Sequence, residues 1–206
     1  MKGWATMRGC CWTLVAMMAV SSLIAGMQEA NEFALKLLTL KGQAELVTAS
    51  PPRSLQEGAT VSLGEAVRVS PKSVAVFLWL PYKARLKVEG EGQVRLLPNR
   101  VLQVEAGRVW LGTPPPPPGE RRYPLPVKVG SAQLVGSPDA YFSVAFLKNN
   151  RILLSVDQGT VFVSVNNRNV AVGKGAMAFL LPDGFLLGPM PMSRDERMRW
   201  DAGGAR

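Results

Sequence analysis

Five residues stand close enough in the sequence to form one binding strip: Trp79, Tyr82, Lys83, Arg85 and Lys87. Lys83, Arg85 and Lys87 alternate with Ala84, Leu86 and Val88, the period of a strand that sends every second side chain to one face. Three cations beside two aromatic rings suit an acidic protein or an anionic polymer such as a cell-wall glycan, through charge attraction and cation–π contact. The same alternation is also that of an ordinary solvated strand face. The formal charge of +9 favours an acidic partner, and losing Lys2 and Arg8 with a leader segment lowers it only to +7.

Catalytic chemistry has few residues to draw on. Histidine is absent, which removes the usual acid/base near neutral pH and the commonest metal ligand. The only cysteines, Cys10 and Cys11, lie inside an N-terminal apolar segment. The serines have no histidine base. Carboxylates remain, and Asp139, Asp157 and Asp183 fall in turns or at strand ends. A close pair of acids can hydrolyse a glycoside, so a carboxylate-dependent glycan-active enzyme is the alternative reading. Turn chemistry explains the same positions more simply, because aspartate bonds to nearby backbone there. The expectation is no catalytic residue, no cofactor and no metal.

These residues need a frame, and its address comes first. Lys2 and Arg8 precede an uncharged stretch from Gly9 to Met27, and Glu29 and Glu32 follow it. Basic residues before an apolar run form the layout of a secretory signal or a single N-terminal anchor. The stretch extends roughly 28 Å as a helix at about 1.5 Å per residue, at the short end for a membrane span. Residues 1–30 are therefore read as a leader, cleaved or retained, and the rest as exported to the periplasm or cell envelope. Membrane contact is expected only through residues 9–27 if the leader is retained. Export disfavours nucleic acid as a partner.

From Phe33 to Leu187 the pattern is that of strands and turns. Val127 and Val129, and Ile152, Leu154 and Val156, alternate with other residues as half-buried strands do. Val74 to Leu80 is continuously apolar, which predicts a strand covered on both faces. Asn99, Asn149-Asn150, Asn166-Asn167 and Asp183-Gly184 tolerate the left-handed backbone of tight turns. They predict antiparallel hairpins at Leu97 to Val101, Leu147 to Arg151, Val165 to Val170 and Leu181 to Phe185. Residues 113–126 contain five consecutive prolines and predict an extended connector. After Pro191, Ser193-x-x-Glu196 is a capping-box pattern and Asp195 pairs in spacing with Arg199. A helix from about Arg194 to Asp201 follows, with Met198 and Trp200 as its docking residues.

The strands repeat. Ser70-Pro71 and Ser137-Pro138 lie 67 positions apart, and each opens an apolar run. At an offset of 68, Leu102, Val104, Gly107, Val109 and Leu111 align with Val170, Val172, Gly175, Met177 and Phe179. A glycine followed by apolar residues two and four places on recurs at Gly42, Gly92, Gly107, Gly159 and Gly175, as a turn or bulge feeding a strand that points alternate residues inward. The fold class is all-β, a mainly antiparallel sandwich or roll of two related halves, with a short C-terminal helix. The domain covers residues 31–190, its halves about 42–112 and 127–187, and residues 191–206 form the helix and tail.

Leu55-x-x-Gly58-x-x-Val61-x-x-Gly64, Val67-x-Val69 and the Ser73 to Leu80 strand resemble the opening of the FecR-like domain, the extracytoplasmic part of the iron-dicitrate type signalling regulators. Val104 to Val109 resembles its central glycine strand, and Val156 to Val161 with Val172 to Gly175 resembles its closing elements. The resemblance covers roughly Gly42 to Leu181. This chain departs from the family pattern at Pro81-Tyr82, where Asp-Gly is usual, and after Gly136-Ser137, where an insertion precedes Phe142-x-Val144. The signalling members also carry a cytoplasmic anti-sigma segment, which this sequence does not show. The resemblance implies a stand-alone, exported, non-catalytic module that binds an envelope protein or an anionic polymer, in signalling or envelope assembly.

Overall fold

The computed structural model describes residues 33–113 and 123–203. The leader and residues 114–122 of the proline-rich connector lie outside the described residues, so the expectations placed on them stay as expectations. Among the described residues no helix is long and apolar enough to cross a membrane.

The first half contains β1 (Leu35–Lys41), β2 (Ala44–Leu46), β3 (Arg53–Ser54), β4 (Thr60–Val61), β5 (Ala66–Val69), β6 (Val74–Trp79), β7 (Ala84–Leu96) and β8 (Leu102–Gly112). The second contains β9 (Leu125–Val129), β10 (Ala132–Gly136), β11 (Tyr141–Phe146), β12 (Ile152–Gln158), β13 (Thr160–Val165), β14 (Arg168–Gly173), β15 (Ala176–Leu180) and β16 (Leu186–Pro191). Helix α1 (Arg194–Gly203) follows. All sixteen strands join in one hydrogen-bonded sheet. Their inward side chains meet in one core, where Phe77, Trp79 and Leu86 of the first half share a cluster with Phe142, Val144 and Leu154 of the second. The architecture is thus a mainly antiparallel β roll with one C-terminal helix.

The four expected hairpins form. Leu97, Leu147 and Leu181 donate their N–H groups to Val101, Arg151 and Phe185. Val165 stands opposite Arg168 around Asn166-Asn167, both at positive φ. The left-handed residue in the first hairpin is Arg100 (φ 66) rather than Asn99. One pair runs parallel: Leu102, Gln103 and Val104 of β8 lie beside Val127, Lys128 and Val129 of β9. The chain between Gly112 and Leu125 is long enough for such a crossover, which a tight hairpin cannot make.

Strand pairing confirms the repeat and corrects its register. In the first half β7 pairs with β5 and β6 on one side and β8 on the other. In the second half β12 and β13 together take the place of β7, pairing with β11 and β10, while β15 and β14 take the place of β8. Gly42, Gly92, Gly107 and Gly159 are each followed by buried residues two and four places on, as expected. Gly175 is not: Met177 and Phe179 turn to the outer face and Ala178 and Leu180 inward. Trp110 lies opposite Lys87, and Met177 opposite Ser155, so Trp110 corresponds to Met177 at an offset of 67.

Two-sided burial also falls on different strands from those expected. In β6, Ala75, Phe77 and Trp79 are buried while Val76 and Leu78 are only partly covered. In β12 the run Ile152 to Val156 is buried on both faces. The reason is α1, which lies over β8, β11 and β12.

Candidate functional site

The basic strip disperses when its residues are placed. Trp79 ends β6 on the inner face and is fully buried, so it belongs to the core and offers no binding surface. Pro81 and Tyr82 sit in a single 3-10 turn between β6 and β7. The Tyr82 ring packs on Trp79 with centroids 4.4 Å apart, and burial pushes its hydroxyl pKa up while the Arg100 charge pulls it back. Lys83 lies outside the strand alternation, in a left-handed conformation (φ 48) with its N–H donating to Leu80 O at 3.3 Å. Arg85 is exposed on the outer face of β7. Lys87 shares that face but pairs with Glu89 Oε1 at 2.6 Å, donates to Gly203 O, and lies 5.8 Å from the Trp110 ring centroid. The structure thus leaves Lys83, Arg85 and part of Tyr82 at the surface.

Two of the three candidate acids, Asp139 and Asp183, are held by turns, and Asp157 lies at the end of β12. Asp139 accepts from Ser137 Oγ at 2.7 Å and Asp183 accepts from Phe185 N at 2.9 Å, both as turn residues. Among the described residues no group of three or more acids, histidines or cysteines could hold a metal ion.

The structure instead concentrates its chemistry where α1 meets the sheet. Ser193 caps the helix, its Oγ accepting from Glu196 N at 3.3 Å, which is half of the expected capping box. The Glu196 carboxylate does not close the box. It turns inward and receives two bonds from Arg108 of β8, Nη1 to Oε1 at 2.6 Å and Nη2 to Oε2 at 3.1 Å. Ser155 Oγ of β12 donates to Glu196 Oε1 at 2.9 Å and accepts from Trp200 Nε1 at 3.1 Å. Ser143 Oγ of β11 lies 2.8 Å from Ser155 Oγ. Ser143 and Ser155 are fully buried and Glu196 nearly so.

Trp200 also meets Trp110 edge to face, with centroids 4.6 Å apart, and Met192 completes a second small core there. A bidentate Arg–carboxylate pair is the strong form of this contact. Removing one partner of a buried pair costs about 3–5 kcal/mol, because the other charge is stranded. Met198, the other expected docking residue, is exposed. Everything in this cluster is directed at holding α1 down: the carboxylate is saturated by donors and the serines are covered. Beside it, Glu89, Glu91, Arg108 and Arg199 line an open groove of about 500 Å³ with Phe146 and Leu147.

None of this docking was readable as a site, because the partners lie 41 to 88 positions apart. The local signals were Trp200 and the Ser193 cap, both placed as expected, and Ser143 and Ser155, which interrupt runs that are otherwise apolar.

No family model matches the chain, and no curated protein matches it. Solved structures do. Two crystal structures of a putative anti-sigma factor from Parabacteroides distasonis superpose on it, one at TM-score 0.54 and 16% identity, the other at 0.53 and 15%. Each match covers 67% of this chain, and 65% and 64% of the other. At that identity the likeness is one of fold.

Proposed function

We propose that this protein is an extracytoplasmic FecR-like module that binds an envelope protein through its β surface and performs no catalysis of its own. The observation that supports the reading is the fold likeness: a chain whose glycine spacings resemble the FecR-like pattern also superposes on the Parabacteroides structures over 67% of its length. A fold likeness carries no residue-level function with it. Two of the three candidate acids support the same reading, since Asp139 and Asp183 are committed to turns, as are Ser143, Ser155 and Glu196 to helix docking. Export follows from the leader pattern, and the excess of cations favours an acidic partner surface over a basic one.

The test is affinity capture with the full-length chain, tagged at its C-terminus and expressed in its own cells. The expected result is a stoichiometric envelope protein, retained after crosslinking and lost at high salt. Recovery only of cell-wall polymer moves the partner class to glycans. Turnover of an isolated glycan by the purified chain overturns the non-catalytic reading.

A further inference from the structure

The outer face of the second half carries an apolar row that none of the described residues covers. Pro126 of β9 stands opposite Val135 of β10, Val135 opposite Phe162 of β13, and Phe162 opposite Ala171 of β14. All four point away from the core, because their strand neighbours Val127, Leu134, Val163 and Val172 are buried. Phe162 is 52% exposed and Val135 40%. Four strands about 4.8 Å apart make the row about 14 Å long. Beside it runs a polar row, Lys128–Gln133–Ser164–Asn169, on the same face.

At one end the two rows sink into a groove of about 210 Å³ between this sheet and the Leu97–Val101 hairpin. Pro126 and Val135 supply apolar wall, Asn99 and Gln133 supply amides, and Lys128 supplies a cation. No carboxylate lines the groove, and among the described residues Lys128 has no ion pair. A half-buried cation with no counterion among the described residues, set against an apolar row that they leave open, is complementary to a ligand that is acidic and apolar in close succession. A polysaccharide meets a sheet through broad indole or phenol faces, whereas this row offers one phenyl ring among aliphatic side chains.

We propose that this groove and row form the docking site for an acidic, apolar peptide segment of a partner protein, with a carboxylate on Lys128 and apolar side chains along Val135 and Phe162. The proposal rests on the reading of the protein as a binding module and assigns that module its surface. It replaces the Lys83–Lys87 strip as the contact face.

The experiment titrates the full-length chain against a fluorescein-labelled decapeptide in which glutamate alternates with valine and phenylalanine, read by anisotropy. Binding is expected. Lys128→Glu and Phe162→Ser are each expected to weaken it about tenfold or more, the first by placing like charge against the ligand and the second by removing the apolar anchor. The peptide with lysine at every glutamate should bind at least tenfold more weakly. Arg85→Glu, a charge reversal on the abandoned strip, should leave the affinity unchanged. Absence of binding, equal binding of the lysine peptide, or equal loss in Arg85→Glu each overturns the proposal. Because both substituted side chains reach solvent, unchanged thermal unfolding identifies a loss as one of contact. If envelope capture retrieves a partner while the peptide fails these tests, the groove is wrong and the binding-module reading stands.

Discussion

On the outer face of β6 and β7, Val76 and Lys87 stand opposite one another. At the corresponding positions of β11 and β12 the second half holds Ser143 and Ser155. The frame beneath is the same, and the difference decides what each half can carry. A long ammonium side chain at position 87 lies over the sheet, pairing with Glu89, standing over the Trp110 ring and reaching only the last residue of α1 at Gly203 O. Two short hydroxyls at 143 and 155 leave room for a helix and give its Glu196 and Trp200 something to bond. The repeat thus supplies a scaffold, and a pair of small polar residues in the second copy completes, with Arg108 and Trp110 of β8, a landing site for α1.

The glycines allow the comparison to be broken most severely. Gly107 and Gly175 mark the same break in the two halves, and both have positive φ, +77 and +71. A side chain at Gly107 would meet the Gly92 backbone at 2.4 Å, whereas nothing lies within 4 Å at Gly175. Left-handed strain alone costs about 1–2 kcal/mol, and forced overpacking adds about 1–3. Gly107→Ala should therefore lose about 3 kcal/mol or more, and Gly175→Ala only about 1–2, measured by chemical denaturation. Equal losses would show that the crossing of β7 and β8 yields to a methyl group as readily as its counterpart in the second half.

Exchange of the outward residues comes next in size. Ser155→Lys rebuilds the second half in the image of the first and puts an ammonium where the Trp200 indole and the Arg108 guanidinium already sit. The helix should leave the sheet at a cost of about 2–4 kcal/mol, the scale of burying a tryptophan and a bonded ion pair. Hydrogen exchange should show residues 194–203 losing protection while the β12 and β15 amides keep theirs, and Trp200 emission should shift red. The reciprocal Lys87→Ser should cost less, about 1 kcal/mol, since its pair with Glu89 is partly solvated and its bond to Gly203 O lies at the end of α1. A helix that stays protected in Ser155→Lys would mean that Trp110 and Met192 hold it without the serines.

The same contrast explains what the sequence disclosed. Hairpins were readable because asparagine and glycine at their tips answer a local backbone demand: Asn149, Asn150, Asn166, Asn167 and Gly184 all take positive φ. The repeat was readable because glycine spacing survives in both halves. Its register past Gly175 was not, since spacing alone does not say which face a strand presents. Trp79 was misplaced for a related reason. Nearness to Lys83 in sequence says nothing about face, and the turn at Leu80–Tyr82 breaks the alternation between them. The Arg108–Glu196 pair links two elements 88 positions apart, and only the folded sheet brings them together. The face carrying Phe162 was equally hidden, because its row runs across strands and never along one.

The smallest expected effect sharpens what remains of the first-half strip. Tyr82 packs against Trp79, and burial holds its hydroxyl pKa above the ordinary value of 10.0 despite Arg100. A phenol harder to ionise in the folded chain than in the unfolded one favours folding in its neutral form. That contribution is whole below about pH 10 and is lost as pH climbs through the higher folded value. Tyr82→Phe keeps the ring and deletes the titration. The stability of the native chain minus that of the variant should hold steady from pH 7 to about pH 9.5 and fall above it, in denaturation curves taken at each pH. The second half offers no counterpart, because Asn149 stands at the equivalent of Tyr82 and ionises nowhere in this range. A difference that stays flat at high pH would place the Tyr82 hydroxyl in open water, and would return that ring to the surface where Lys83 and Arg85 remain.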